Sequence, residues 1–191
     1  MSKNINIHNT AVVGKKSKIG LGTKIWHFCH IMDKSIIGKN CSIGQNVFIG
    51  KNVKIGHHVK IQNNVSLYDG IVCEDYVFIG PSAVFTNVIN PRSKVNRKKE
   101  FKKTLIKIGS TIGANSTIIC GLKLGKYSFV GAGSVVTKDI KDFEVVAGNP
   151  AKHLYWISKS GFKLNFNKNN IAVCNISKEK YFLKNDKVSI I

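Results

Sequence analysis

Residues 35–67 read SIIGKNCSIGQNVFIGKNVKIGHHVKIQNNVSL. An isoleucine returns at every sixth position, Ile37, Ile43, Ile49, Ile55 and Ile61, and glycine follows each of the first four. Helices repeat every 3.6 residues and strands every two, so a period of six asks for another shape. The phase extends upstream through Ile31, Ile25, Ile19, Val13 and Ile7, and downstream through Leu67, Cys73, Ile79 and Phe85. All fourteen of these sixth positions are apolar in a chain that is 43% hydrophobic. Chance would give that about once in 10⁵ trials, so the repeat is real.

The position two residues earlier is small or β-branched throughout, as in Ser35, Cys41, Val47, Val53, Val59 and Val65. The pattern fits a triangular prism in which each hexad makes one strand and one corner, and three hexads make a coil. The large aliphatic points inward, the small residue packs beside the corner, and glycine or asparagine takes the turn. Stacked coils bury each other's apolar faces. The expected fold class is therefore all-β, a parallel β-helix over residues 1–148.

After Phe85 the phase breaks, and it resumes at Ile106, Ile112, Ile118, Leu124, Val130 and Val136. The step of 21 residues is half a hexad out of register, which predicts a loop over about 88–103, VINPRSKVNRKKEFKK. It holds two arginines, five lysines and one acid, Glu100. Long excursions from a regular solenoid are functional or disordered. Beyond residue 148, GNPAKHLYWISKSGFKL predicts a short helix opened by Pro150, with Leu154, Trp156 and Ile157 capping the open end. Two or three short strands with a turn at Asn185–Asp186 are expected to complete a tail over 149–191.

The 191 residues carry a net charge of +20, a field that attracts phosphate-bearing partners. The few aromatics form no stacking pattern, so nucleic acid is not expected. No apolar run is long enough to span a membrane, and the start MSKNINIHNT has no signal core, so a cytoplasmic location is expected. The five cysteines match no zinc or redox spacing and read as reduced core filling.

The hexads, with VGAGSVV at 130–136 and AGNPAK at 147–152, resemble the hexapeptide-repeat acyltransferase superfamily. More narrowly, KIWHFCHI (24–31), IQNNVSLYDG (61–70), EDYVFIGPSAVFTN (74–87), NPRS (90–93) and GSTIGANSTIICG (109–121) resemble the N-acetyltransferases of nucleotide-linked 3-amino sugars. The likeness is greatest to those acting on UDP-2-acetamido-3-amino-2,3-dideoxy-glucuronate, a precursor of bacterial surface polysaccharide. The resemblance implies a left-handed β-helix and a homotrimer with active sites between subunits. It also implies acetyl-CoA as donor and no metal.

Acetyl transfer to an amine needs a neutral amine near the thioester, a partner for the developing oxyanion, and a route for one proton. The likeness sets Asn87, at the exit of the prism, beside the sugar amine, where its side-chain carbonyl would accept from the amine. His27 and His30 are candidate bases; the 3-amino-sugar enzymes lack a clear histidine base, and there the departing thiolate takes the proton. His57 and His58 read as solvated corner residues. Arg92, Arg97 and Lys98 are candidates for the substrate's anionic groups. Gln62, Asn64 and Tyr68 would supply neutral hydrogen bonds. Glu74 and Asp75 are candidates to orient the amine, or otherwise to pair with lysines. Coenzyme A would run past Gly113, Ala114, Gly131, Ala132 and Gly133, then Asn149 and Pro150, with Lys138 and Lys152 at its phosphates.

Three other readings stand beside this one. A dTDP-linked 3-amino-3,6-dideoxyhexose would give the loop arginines less to bind, and the related enzymes favour other residues at the second histidine of WHFCHI and in QNNVSLYDG. A β-helical zinc lyase of the carbonic anhydrase type would need three converging histidines. A purely structural solenoid leaves the basic loop unexplained.

Overall fold

The computed structural model describes residues 4–191, and they form the three-sided parallel β-helix that the hexads require, of the left-handed kind implied by the resemblance. Each hexad gives a two-residue strand, as at Lys54–Ile55 and Lys60–Ile61. On either side of the excursion the strands pair in parallel with those 18 residues on: Ile25 lies beside Ile43, Ile43 beside Ile61, and Ile61 beside Ile79. Three hexads therefore close one coil.

Face one climbs from Asn6–Ile7 through Lys24–Ile25, Ser42–Ile43, Lys60–Ile61, Phe78–Ile79, Thr111–Ile112 and Phe129–Val130 to Glu144–Gly148. Face two climbs through Val12–Val13, His30–Ile31, Phe48–Ile49 and Ser66–Leu67, then Val84–Phe85, Thr117–Ile118 and Val135–Val136. Face three holds Lys18–Ile19, Ile36–Ile37, Lys54–Ile55, Ile71–Cys73, Thr104–Ile106 and Lys123–Leu124.

Strand side chains alternate, so the second residue of each pair points inward and the first outward. Ile31, Ile43, Ile49, Ile61, Leu67 and Ile79 are fully buried. The small residue two positions earlier closes the corner. Where it is serine, as at Ser35, Ser116 and Ser134, the hydroxyl donates to the carbonyl three residues back at 2.7 Å and satisfies the turn. All five cysteines are free and buried. Burial pushes the thiols of Cys29, Cys41 and Cys73 up, that of Cys73 to about 12, so they fill space as neutral groups.

The excursion is where the phase predicted it. Val84–Phe85 pairs with Thr117–Ile118, 33 residues on instead of 18, so fifteen residues leave the coil without disturbing the faces. They contain one 3₁₀ turn, Lys98–Glu100.

The helix expected after Pro150 does not form. Ala151–Trp156 is a strand that turns back antiparallel on Glu144–Gly148, pairing Gly148 with Ala151 and Glu144 with Trp156. The last coil of face one would otherwise end in unpaired N–H and C=O groups, and the hairpin pairs them. Nor does Leu154 cap the prism: it is 55% exposed. Trp156 instead joins a second core with Phe143, Leu164, Tyr181 and Val188, under an antiparallel sheet of Ile171–Val173, Lys180–Lys184 and Lys187–Ile190. The turn of that sheet falls at Asn185 and Asp186, as expected. The tail docks on stacked rings of Tyr127 and Phe143, with Tyr181 edge-on to Phe143. Among the described residues no helix is long and apolar enough to cross a membrane.

Candidate active site

The outward row of face two reads Val12, His30, Phe48, Ser66, Val84, Thr117 and Val135. The edge joining faces one and two is formed by residues 8–11, 26–29, 44–47, 62–65, 80–83, 113–116 and 131–134. None of these 35 positions is Lys, Arg, Asp or Glu, although 21% of the chain is charged and about seven would be expected. Lysines and acids crowd the other two edges instead, as at Lys15, Lys34, Lys51, Lys39, Asp75 and Lys107. In a protein of charge +20, an uncharged wedge of this size has the composition of a covered surface.

The predicted site residues divide over this wedge and its borders. His27, Gln62, Asn64, Gly113, Ala114, Gly131, Ala132 and Gly133 lie on the uncharged edge, and Asn149 and Pro150 form the exposed turn above it. Lys152 follows on the hairpin strand, also exposed. His30 lies on the outward row. Tyr68, Asn87 and Lys138 lie on the opposite border of face two, where it meets face three. Glu74 is elsewhere, on the third edge, where its carboxylate accepts from the Ile108 N–H at 2.9 Å. Asp75 there accepts from the His57 N–H rather than pairing with a lysine. His57 and His58 share that edge, His57 accepting from the Lys39 N–H and His58 stacked flat on Tyr76 with ring centres 4.8 Å apart. Among the described residues no three His, Cys, Asp or Glu side chains gather as metal ligands.

Asn87 stands at the neck of the excursion. The Thr86 hydroxyl accepts from the Cys120 N–H at 2.9 Å, and the Asn87 carbonyl accepts from the Lys102 N–H at 2.9 Å. These two bonds pin both ends of the loop. The half-buried Asn87 side chain enters neither of them.

Beyond the neck, Val88, Pro91, Arg92, Val95, Arg97 and Phe101 line a hollow of about 320 Å³. Arg97 is already held by Glu100 through two bonds of 2.8 and 2.9 Å, and its buried Nε has no partner. Arg92 is exposed and touches only the Pro91 carbonyl. Lys98 is exposed on the 3₁₀ turn. Arg92 is thus the freer of the two guanidinium groups. If the amino-sugar substrate implied by the sequence resemblance binds at this hollow, Arg92→Ala raises its KM severalfold and leaves that for acetyl-CoA unchanged, as initial-rate kinetics would read.

Spacing separates the histidines from Asn87. His30 pairs with Phe48, Phe48 with Ser66, and Ser66–Leu67 packs beside Val84–Phe85. Three coil steps of about 4.8 Å put His30 roughly 14 Å below the Asn87 coil. No single amine reaches both within hydrogen-bond distance. His27 is in the same low coil, with its ring centre 3.6 Å from that of His8.

The small residues at the upper corners have a structural reason of their own. A Cβ on Gly80 would lie 2.6 Å from the Ala114 nitrogen, one on Gly113 2.5 Å from the Ala132 nitrogen, and one on Gly131 2.8 Å from Ala147 Cβ. Coils stack too closely there for a side chain. Gly133 differs: its φ of +68° favours glycine, but a Cβ there would meet open space. Gly113→Ala is therefore expected to destabilise by about 2 kcal/mol or more through overpacking, and Gly133→Ala by about 1. Scanning calorimetry should give the larger fall in Tm at Gly113.

One feature was invisible to the hexad reading. Phe48 sits at an outward position, between His30 edge-on at 5.6 Å and Tyr68 at 5.8 Å. The signal available was an aromatic at an outward position of face two, one coil above the outward His30 and one below the coil of Tyr68.

A family described as bacterial transferase hexapeptide (six repeats) matches residues 16–51 and 40–70, and one described as hexapeptide repeat of succinyl-transferase matches 107–138. The chain is 44% identical over 172 residues to a dTDP-3-amino-3,6-dideoxy-alpha-D-galactopyranose 3-N-acetyltransferase of Aneurinibacillus thermoaerophilus, covering 90% of this chain and 88% of that one. Among solved structures, a hexapeptide transferase family protein from Anaplasma phagocytophilum superposes with a TM-score of 0.56 at 21% identity, over 82% of this chain and 81% of that one. A mutant of AntD, an N-acyltransferase from Bacillus cereus in complex with dTDP and coenzyme A, superposes with a TM-score of 0.51 at 21% identity, over 83% and 84%.

Proposed function

The chain belongs to the hexapeptide-repeat transferases, among the sugar N-acetyltransferases, and from that premise we propose that it moves an acetyl group from acetyl-CoA to the 3-amino group of a dTDP-linked 3-amino-3,6-dideoxyhexose. The observation that supports this most is the 44% identity, over nine-tenths of the chain, to an enzyme of that activity.

The reaction runs beside the loop neck. The amine nitrogen attacks the thioester carbonyl, the C–N bond forms, and the C–S bond breaks. Asn87 accepts a hydrogen bond from the amine through its side-chain carbonyl and aims the lone pair. His30 lies too far below to take the proton from the same amine, so the departing coenzyme A thiolate takes it. The coenzyme's pantetheine arm follows the low-relief corners at Ala132 and Gly133 down to the neck, with Lys138 and Lys152 toward its phosphates.

The site is completed by a second copy. The uncharged edge of one protomer packs across face two of the next, and three copies close a ring. This brings Gln62, Asn64 and the small upper corners of one subunit against the Asn87 border of its neighbour. The enzyme works in the cytoplasm, where nucleotide sugars are made, and its product serves surface polysaccharide synthesis.

A second reading keeps the UDP-linked 3-amino uronate as substrate. Arg92, free of any ion pair at the mouth of the loop, favours it, because a uronate carboxylate would occupy that guanidinium. Parallel assays with the two nucleotide sugars decide between them. kcat/KM is expected to be at least about tenfold higher for the dTDP sugar; the reverse order establishes the uronate.

A further inference from the structure

We infer that Phe48, flanked by His30 and Tyr68, is the platform on which the nucleobase of the sugar substrate lies. The inference rests on the reading of the chain as a nucleotide-sugar acetyltransferase, and it assigns a subsite to residues outside the chemistry at Asn87.

Three observations converge. First, the rings form a continuous ladder on face two, with centres 5.6 Å apart between His30 and Phe48 and 5.8 Å between Phe48 and Tyr68. His30 and Tyr68 are exposed and Phe48 is half-buried; His30 and Phe48 stand on the uncharged row, and Tyr68 on the border beside it, next to Asp69. An uncharged aromatic strip suits a neutral pyrimidine ring, since every base has a π face and stacking needs no particular hydrogen-bond pattern.

Second, the ladder stands at the right height. Phe48 lies two coil steps, about 10 Å, below the Val84 coil that leads to Asn87, and His30 lies about 14 Å below it. From the pyrimidine nitrogen to the amino-bearing carbon, a nucleoside diphosphate sugar advances through about twelve bonds at a little over 1 Å each, on the order of 15 Å when extended. With the amine at Asn87, the base therefore arrives at the ladder.

Third, what lies between is polar and uncharged. Ser66 occupies the outward position between Phe48 and Val84, and Tyr68 presents its hydroxyl at the same level. Both are donors suited to a diphosphate. Coenzyme A takes the opposite direction, toward the upper corners, so the two substrates meet end to end at the neck and do not compete for one groove.

The test uses dTDP alone as the probe, on the full chain, by titration calorimetry. Phe48→Ala is expected to weaken dTDP binding by about tenfold or more, the loss of one base–aromatic stack. It raises the KM for the dTDP sugar to match, while the KM for acetyl-CoA and the sedimentation coefficient stay at wild-type values. Phe48→Tyr restores the affinity. Unchanged dTDP affinity in an assembled Phe48→Ala protein overturns the inference. So does dissociation of the assembly in that variant with affinity retained, which would make the ring a subunit contact. If the wild type instead binds dTDP through Phe48 yet acetylates no nucleotide-linked amino sugar, the platform stands and the proposed reaction falls.

Discussion

Asn87→Ala lowers kcat by about 100-fold or more while the KM for acetyl-CoA stays near the wild-type value. The size follows from what the residue does. Loss of one preorganised polar partner at a reacting centre removes roughly 10²–10³ in rate, and misplacement of the attacking atom by about 1 Å has a similar effect. The residue is also placed so that little else should change. Its backbone carbonyl, not its side chain, ties the loop neck through the Lys102 N–H. Alanine keeps that bond, and the Thr86 hydroxyl keeps the one to Cys120. Unaltered thermal melting therefore accompanies the kinetic loss. Asn87→Asp separates geometry from charge: a carboxylate still accepts from the amine, so a partial recovery of kcat over alanine is expected. A mutant with wild-type turnover would remove Asn87 from the reaction.

Thr117→Lys dissociates the assembly and abolishes turnover together. Thr117 is outward on face two and half-buried in one protomer, in the upper part of the uncharged wedge. A lysine there is unpaired once the neighbouring copy covers it. Each such charge costs about 3–5 kcal/mol, and a closed ring repeats the penalty at every interface. Lys54→Glu is the matched control, because Lys54 is outward and exposed on face three, away from the wedge. Sedimentation velocity should show a small species for Thr117→Lys and the wild-type species for Lys54→Glu. Retention of the assembly by the Thr117 variant would move the interface to another face and leave the uncharged wedge without an explanation.

Much of this was legible in the residues themselves. The hexads specify the prism because only a large aliphatic at the sixth position fills a three-sided core, and Ile31 through Ile79 are buried as that requires. The broken phase after Phe85 located the loop, since a solenoid tolerates extra residues only by expelling them from a corner. The end of the chain was harder. Proline at 150 followed by Ala151–Trp156 is compatible with a helix start, and local pattern cannot reveal that Glu144–Gly148 offers an unpaired strand edge. The site was legible residue by residue but not as a constellation. Glu74 reads in one dimension as a carboxylate that could orient the amine, and the fold sets it on the third edge, where it accepts from the Ile108 N–H. The glycines at 113 and 131 suggest room for a ligand, yet coil stacking already demands them. Only the register of 18, interrupted by 33, shows that His30 on face two and Asn87 on its border stand about three coil steps apart.

The most direct test of acetyl transfer is to incubate the purified protein with acetyl-CoA and dTDP-3-amino-3,6-dideoxygalactose, follow free thiol release, and weigh the sugar product by mass spectrometry. Thiol is expected to be released in step with a nucleotide sugar heavier by one acetyl group, attached at the 3-nitrogen. No thiol release with either this sugar or the UDP-linked uronate, from an assembled and folded protein, would contradict it.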